Sequence, residues 1–260
     1  EVPSEAIDSC AVEALLAPVV ERYPALKGKL YTGLEGNYCV GHYVAPDRVS
    51  ALRAHVEGDF TVRDLRWKDP QPAPAWKDTF HADRFGPQCM QPQRGLLTNQ
   101  YSGAEVTSED CLYLNVWTRP ALKKAPVIVY IHGGGFFIGS SSMPLYGGEE
   151  VSKQGAVFVN FNYRTGVLGF MAHPELSAES PHKSSGNYGI LDQVAALKWV
   201  RRNIARFGGD PDNVTIVGQS AGSMSVLLLQ ASPLTRGLFH RAVGMSGGMG
   251  AGPGATPPLS

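Results

Sequence analysis

Short apolar runs recur along the chain, and each is bounded by polar, glycine or proline residues. Residues 127–131 (VIVYI), 156–163 (AVFVNFNY) and 214–218 (VTIVG) are rich in β-branched side chains, which is typical of buried strands in a parallel sheet. The stretch 110–118 (DCLYLNVWT) has the same β-branched and aromatic character. The pattern therefore predicts four strands.

Segments with helical periodicity lie between and after these strands. Residues 192–206 place basic side chains around the apolar Trp199, Val200 and Ile204, which predicts an amphipathic helix that Gly208 and Gly209 end. The next stretch, DPDN, predicts a turn. A second helix is predicted over 222–231, ended by Pro233. Strands that alternate with helices predict an α/β fold.

The chain divides near residue 64. Before it, a helix is predicted from Ser4 to about Tyr23, followed by an irregular stretch with no strong period. After it, DLRWKDPQPAPAW carries three prolines and predicts an extended surface segment. We therefore separate an N-terminal segment, 1–63, whose fold the pattern does not define, from a domain over 64–260. The tail GGMGAGPGATPPLS has the composition of a loop or linker.

Charge and cysteine content narrow the class of protein. Lys plus Arg and Asp plus Glu number 23 each, so no net charge recruits nucleic acid or an anionic membrane. No apolar run approaches the roughly 20 residues that span a bilayer. Four cysteines, an even number, are compatible with two disulfides and an oxidising compartment. The seven histidines are scattered, so we expect no metal site.

The stretch GQSAG at 218–222 places a serine where a buried strand meets a helix. In G-x-S-x-G the serine occupies a tight, strained turn that lifts its hydroxyl above the sheet, and glycines are needed because side chains would collide with the neighbouring strand and helix. The helix N-terminus behind it favours developing negative charge. Ser220 is therefore a candidate nucleophile.

The stretch HGGGF at 132–136 follows another buried strand. Acyl transfer generates an oxyanion, and preorganised backbone N–H groups stabilise it. Glycines let a main chain approach a substrate closely and present its amides. The alternative, a flexible glycine loop, is disfavoured by the position of the triplet after a strand and upstream of the serine turn.

Taken together, these segments resemble the type B carboxylesterases, the family of cholinesterases and of fungal lipases and esterases. The resemblance runs from about Leu65 to Ser246 through several ordered motifs: LRWKDPQPAPAW, FGPQCMQ, SEDCLYLNVW, VIVYIHGGGF, NYRTGVLGF, GNYGILDQVAALKWVRRNIARFGGDPDNVTIVGQSAGS and FHRAVGMSG. It implies an α/β-hydrolase fold, with a mostly parallel sheet flanked by helices, and hydrolysis of carboxylic esters. No cofactor is implied.

The resemblance also assigns roles to individual residues. Ser220 would be the nucleophile, and the amides of Gly134, Gly135 and Ala221 would form the oxyanion hole. The remaining assignments are structural: a disulfide between Cys89 and Cys111, which leaves Cys10 and Cys39 as a second pair, and ion pairs between Arg66 and Glu109 and between Arg164 and Asp192.

Three departures from the family pattern matter. The first 63 residues lie outside the resemblance. Gln219 stands where cholinesterases and many relatives carry glutamate, so the residue beside the substrate is neutral, which argues against choline esters and leaves neutral or acidic esters. The family's acid and histidine lie far downstream of the serine, whereas residues 221–260 contain no Asp or Glu, and their histidine, His240, belongs to a structural motif.

The sequence therefore predicts the N-terminal half of a secreted or periplasmic carboxylic ester hydrolase, with a sheet that is incomplete at its C-terminal side. A second chain or a C-terminal segment would supply the acid and the histidine. His132 is expected to support the glycine loop rather than act as the base. Two alternatives remain open: a non-catalytic esterase-like binding or adhesion module, and an inactive truncated product.

Overall fold

The computed structural model describes residues 65–71, 82, 84–92 and 106–248 of the 260-residue chain. These residues form seven strands: β1 (Gln88–Cys89), β2 (Thr107–Ser108), β3 (Leu114–Trp117), β4 (Ala125–Ile131), β5 (Val157–Phe161), β6 (Gly209–Gln219) and β7 (Arg241–Met245). They also form five α-helices: α1 (Glu149–Lys153), α2 (Gly166–Phe170), α3 (Pro174–Glu179), α4 (Tyr188–Asn203) and α5 (Ala221–Ala231). Short 3₁₀ turns cover Pro144–Tyr146, Ile204–Phe207 and Pro233–Thr235.

The main sheet has five strands in the order β3-β5-β4-β6-β7. Strands β4, β5, β6 and β7 are parallel, and β3 runs antiparallel to β5 at one edge. Strands β1 and β2 form a separate parallel pair. The carboxyl ends of β4 and β6, which lie side by side, therefore bring the sequences HGGG and GQSAG to the same edge of the sheet.

The core lies against one face of this sheet. Val127 and Val129, alternate residues of β4, are fully buried, and with Val159 of β5 they pack against α4 and α5 through residues such as Leu197 and Leu229. This alternation follows from the two-residue repeat of a strand. Helices α4 and α5 on this face therefore hold the central strands in place, and with them the edge of the sheet formed by the strands' carboxyl ends.

The predicted strands are present with shifted bounds: β3 and β5 are shorter than the predicted 110–118 and 156–163, and β4 and β6 begin earlier than predicted. Strand β4 begins at Ala125, and its second face is only half-buried because Tyr130 packs against Tyr146 and Phe158 instead of a helix of the core. The turn predicted at DPDN lies inside β6. The register with β4 jumps from Ala125–Gly209 to Val127–Val214, so residues 210–213 bulge out of a strand that continues on both sides.

The predicted helices are present with shifted bounds. Helix α4 begins at Tyr188 and includes Gly189, a residue that disfavours helix but is required here because a Cβ would lie 2.5 Å from the Arg164 carbonyl oxygen. Helix α5 begins at Ala221, one residue earlier than predicted. Within the described residues, no helix is long and apolar enough to cross a membrane. The helix predicted over Ser4–Tyr23, the whole segment 1–63, and Cys10 with Cys39 lie outside the described residues.

The cross-links implied by the resemblance are present. Cys89 and Cys111 form a disulfide with a Cα–Cα distance of 4.8 Å. The Arg66 guanidinium donates two hydrogen bonds to Glu109. Arg164 donates to Asp192 through Nε at 2.8 Å and Nη2 at 2.7 Å, and the carboxylate is buried. The first two contacts cross-link the segment before β3, and the third joins the stretch after β5 to helix α4.

Removing the disulfide should destabilise the domain without touching the serine turn. The bond closes a loop with a sequence separation of 22. A cross-link of that span lowers the entropy of the unfolded chain and so stabilises the folded state by about 3 kcal/mol. In denaturant titration, we expect the free energy of unfolding of the double variant Cys89→Ser/Cys111→Ser to be lower than that of the wild type by about this amount. A reductant should lower the stability of the wild type and leave the variant unchanged. A free thiol on Cys89 in non-reducing peptide mapping would contradict the pairing.

Candidate active site

Ser220 is the single residue between β6, which ends at Gln219, and α5, which begins at Ala221. Its backbone has φ 55° and ψ −120°, a conformation that residues with a side chain rarely adopt. Such a conformation costs on the order of 1–3 kcal/mol and persists only where the surroundings impose it. The half-buried serine therefore occupies a strained strand-to-helix turn, as the sequence predicted.

Close packing around two glycines imposes this turn. A Cβ on Gly218 would lie 2.1 Å from the carbonyl oxygen of Gly222, and a Cβ on Gly222 would lie 2.1 Å from the carbonyl oxygen of Ile131. The first contact is with the start of the helix and the second with strand β4. Both positions accept only glycine, which explains the spacing of the motif.

Strand β7 holds the turn from the other side. The Ser220 N–H donates to the Met245 carbonyl oxygen at 2.8 Å, and the Ser220 carbonyl accepts from the Met224 N–H at 3.0 Å. The backbone of Gly247 packs against the same carbonyl, because a Cβ there would lie 2.4 Å from it. Hydrogen bonds at the N–H and the carbonyl oxygen, together with the packing of Gly247, thus fix the main chain of Ser220.

The loop over His132–Gly139, called the glycine loop below, lies directly beside Ser220. A Cβ on Gly133 would be 3.3 Å from the Ser220 Cβ and 2.7 Å from the Gln219 carbonyl oxygen, so only glycine allows this approach. Gly134 and Gly135 have φ values of +110° and +62°. The loop reverses direction at these glycines while in contact with the serine turn.

Some N–H groups of the glycine loop bond within it, whereas those of Gly134 and Gly135 do not. The Gly134 carbonyl accepts from the N–H groups of Phe137 and Ile138, at 3.0 and 3.1 Å. In a trans peptide the next N–H, on Gly135, points the opposite way, out of this turn. Neither Gly134 nor Gly135 donates a backbone hydrogen bond among the described residues, and Ala221, as the first residue of α5, has no intrahelical acceptor.

His132 is locked inside the protein. It is 1% exposed, and its Nδ1 lies 2.8 Å from the Gly133 carbonyl oxygen, an acceptor, so Nδ1 carries the proton. Its ring stacks on Tyr163 with centroids 4.3 Å apart. Burial lowers the pKa of His132 to about 4, so the ring is neutral at pH 7. This histidine supports the loop, and its proton-bearing nitrogen already donates within it.

The other described histidines are also hydrogen-bonded away from the serine. The ring of His173 caps α3 by accepting from the Glu175 N–H, and that of His182 contacts Asp69. The Nδ1 of His240 accepts from the Val214 N–H at 3.2 Å. Among the described residues, no histidine is therefore paired with Ser220. The remaining three, His42, His55 and His81, lie outside the described residues.

Two features of the site were not predicted from the sequence. The Tyr163 hydroxyl donates to the His132 carbonyl at 2.9 Å, and the Gly166 N–H donates to the Phe136 carbonyl at 2.7 Å. Both donors lie just after β5, whose carboxyl end adjoins that of β4. Their only sequence signal is their place in NYRTGVLGF, a segment with no chemical signature of its own. Within the described part of the chain, no group of His, Cys, Asp or Glu residues is placed to hold a metal ion.

A parallel sheet flanked by helices, with a strained serine after one central strand and a glycine loop after its neighbour, defines the α/β-hydrolase fold. The solved structures that match have this fold. One is the carboxylesterase of Geobacillus stearothermophilus, with a TM-score of 0.63 and 46% identity, covering 70% of this chain and 36% of that one.

Comparison of the sequence with known proteins gives the family. The model of the carboxylesterase family matches residues 59–253, and the chain belongs to this family. It is 49% identical to the fumonisin B1 esterase of Sphingopyxis macrogoltabida, over 72% of this chain and 35% of that protein. It is 48% identical to the para-nitrobenzyl esterase of Bacillus subtilis, over 72% of this chain and 37% of that protein. The chain thus spans little more than a third of the length of these relatives.

Proposed function

We propose that this chain carries the nucleophile and the oxyanion hole of a carboxylic ester hydrolase. The observation that carries the proposal is Ser220, held at φ 55° on the carboxyl edge of the sheet with the Gly133 backbone packed against its side chain. A strained turn of this kind costs stability and has no use in a binding surface. Membership of the carboxylesterase family gives the reaction class.

The mechanism follows from the chemistry of acyl transfer. The Ser220 Oγ attacks the ester carbonyl carbon while a histidine takes its proton, and the carbonyl oxygen becomes an oxyanion. The N–H groups of Gly134, Gly135 and Ala221 stabilise this charge. The oxyanion then collapses, the histidine protonates the departing alcohol, and an acyl-serine remains. Water, activated by the same histidine, releases the acid and restores Ser220.

The histidine and its acid partner come, in this proposal, from a segment downstream of residue 260 or from a second chain. Two observations support this. Each described histidine is hydrogen-bonded elsewhere. Strand β7 is an edge of the described sheet, and its Val243 and Met245 are 45% and 39% exposed, whereas Val127 and Val129 of β4 are fully buried. A further segment that covers β7 would stand next to the serine turn.

The substrate is a small-molecule ester, and the residue beside the serine favours neutral or acidic ones. Gln219 lies against the glycine loop, because a Cβ on Gly133 would be 2.8 Å from its Oε1. We propose that Gln219 is close to the bound substrate and that its neutral amide offers no attraction to a cation. The reaction needs no cofactor. The disulfide favours a secreted or periplasmic location.

Trapping the acyl-enzyme tests the proposal. The protein isolated from its natural source is mixed with a para-nitrophenyl ester, quenched in acid and digested. We expect a burst of para-nitrophenol and one added acyl group on the peptide that contains Ser220. Turnover with the acyl group on another residue, or with no acylated peptide under burst conditions, would contradict the role of Ser220.

Replacing Gln219 by glutamate should shift specificity toward cationic esters. A carboxylate beside the nucleophile attracts a cation in a partly desolvated site and stabilises the imidazolium of a nearby base, which raises the pKa of that base. We expect the ratio of kcat/KM for a choline ester to that for its uncharged isostere to rise about tenfold, equivalent to about 1.4 kcal/mol. The Gln219→Met variant, similar in size and uncharged, should leave this ratio unchanged. An equal ratio in wild type and Gln219→Glu would contradict the placement of Gln219.

A further inference from the structure

The buried side chain of Gln91, far from Ser220 in sequence, forms hydrogen bonds with the end of the glycine loop. Gln91 is 6% exposed and lies two residues after Cys89, at the end of β1. Its Oε1 accepts from the Gly139 N–H at 2.8 Å, and its Nε2 donates to the Gly139 carbonyl at 2.8 Å. One side-chain amide thus pairs with both polar groups of one backbone residue.

Both hydrogens of the Gln91 side-chain amide face hydrogen-bond acceptors. Its second Nε2 hydrogen faces the Cys89 carbonyl at 3.2 Å and the Gln88 Oε1 at 3.5 Å. A buried amide whose donors and acceptor are all occupied is rigid, because any movement leaves a buried polar group unpaired. Gly139 is consequently fixed relative to the disulfide-closed segment.

Gly139, held by Gln91, packs directly against the start of the glycine loop. Gly139 has φ +114°, and a Cβ there would lie 2.4 Å from His132 Nδ1 and 2.6 Å from the Gly133 carbonyl oxygen. Gly133 in turn lies against the Ser220 side chain. The two ends of the glycine loop therefore touch each other, and a displacement of Gly139 must displace the residues next to Gly134.

A second side chain anchors the residues that follow Gly139 to the same segment. Asn162 accepts from the Ser141 N–H at 2.8 Å and donates to the carbonyl groups of Pro87 and Cys111, at 2.9 and 3.1 Å. The carbonyl groups of both disulfide cysteines are thus bonded to side chains that hold 139–141. This arrangement ties the loop to a covalently closed part of the chain.

We infer that Gln91 is a positioning residue for the oxyanion hole, an inference that rests on the function proposed above. Gln91 does not touch the substrate. It holds Gly139, and through Gly139 the start of the loop, so that the amides of Gly134 and Gly135 meet the oxyanion at the right distance. An error of about 1 Å in such a placement costs about a hundredfold in rate, and the loss falls on the transition state.

The variant Gln91→Met, made in the full natural protein, tests this role. Methionine keeps the volume and removes both hydrogen bonds to Gly139. We expect kcat to fall about 10- to 100-fold with KM within about twofold, since the oxyanion exists only in the transition state. The inhibition constant of an aryl trifluoromethyl ketone, which forms a tetrahedral adduct with a serine, should rise by the same factor as kcat/KM falls.

The matched control is Thr165→Val. The buried Thr165 hydroxyl donates to the Met90 carbonyl at 3.3 Å, so this variant removes a hydrogen bond to the same segment without touching Gly139. We expect a melting temperature similar to that of Gln91→Met and kcat within about threefold of wild type. If Gln91→Met does not fold, Gln91→Asn, one methylene too short to span Gly139, must still lower kcat at least threefold.

The outcomes separate the two proposals. Folded Gln91→Met with the kcat of Thr165→Val, a loss confined to KM, or Gln91→Asn with wild-type kcat would each overturn the positioning role while leaving Ser220 as the nucleophile. A wild-type protein whose ester turnover survives Ser220→Ala would instead overturn the proposed function itself.

Discussion

Ester hydrolysis by the natural protein should fall by about 10⁴- to 10⁶-fold when Ser220 is replaced by alanine, because a nucleophile works as a unit with its base. The residual rate is that of the oxyanion hole and binding alone, since water must then attack the ester directly. The measurement is kcat/KM for a para-nitrophenyl ester, with denaturant titration to show that the fold persists. Removing the hydroxyl leaves φ at 55°, so no large change of stability is expected.

Ser225→Ala provides the control on the same helix. The Ser225 hydroxyl is buried and accepts from Gln193 Nε2 of helix α4 at 3.0 Å. Its loss should lower the free energy of unfolding by about 1–3 kcal/mol and leave kcat/KM within severalfold of wild type. Equal losses of activity in Ser220→Ala and Ser225→Ala would show that Ser220 acts only through the fold.

Residues 1–260 produced alone should show no meaningful esterase turnover, which is the second large effect. A serine hydroxyl is a poor nucleophile without an adjacent base, and the four described histidines are engaged elsewhere. The exposed Val243 and Met245 of β7 also leave the strand next to the serine turn uncovered. Turnover of a para-nitrophenyl ester by this chain, against buffer and against its own Ser220→Ala variant, gives the measurement.

Restoration completes this test. If the proposed downstream segment supplies the base, adding it by co-expression or on the same chain should restore turnover, and Ser220→Ala should then abolish the restored activity. Turnover by residues 1–260 alone that disappears in Ser220→Ala would contradict the downstream origin of the base.

The local part of the site could be predicted from the sequence because it is encoded within a few residues. The run VTIVG before GQSAG and the helix after it define a strand, a turn and a helix, and the observed β6, Ser220 and α5 follow that order. The glycine triplet after VIVYI likewise predicts a backbone that approaches a neighbour closely. Each motif is recognisable because its strand, turn and following backbone are contiguous in the sequence.

The long-range part could not be predicted because it depends on which strands are neighbours. The requirement for Gly222 is set by the Ile131 carbonyl, and β4 and β6 become adjacent only through the order of the sheet. Gln91 and Gly139 are separated by 48 positions, and nothing in FGPQCMQ marks the second glutamine as a partner of the loop. The bulge within β6 was hidden for a similar reason: Asp210 and its neighbours have the chemistry of a turn, and only the pairing with β4 makes them an interruption of one strand.

Labelling with a fluorophosphonate probe measures most directly whether Ser220 is an activated nucleophile whose base lies beyond residue 260. The probe reacts with a serine only when a base increases its nucleophilicity, and mass spectrometry identifies the residue modified. We predict rapid labelling at Ser220 in the natural protein, and in residues 1–260 combined with the downstream segment, but none above the Ser220→Ala background in residues 1–260 alone. Labelling of the isolated chain at Ser220 as fast as in an intact carboxylesterase would contradict this, because a base would then have to lie within these 260 residues.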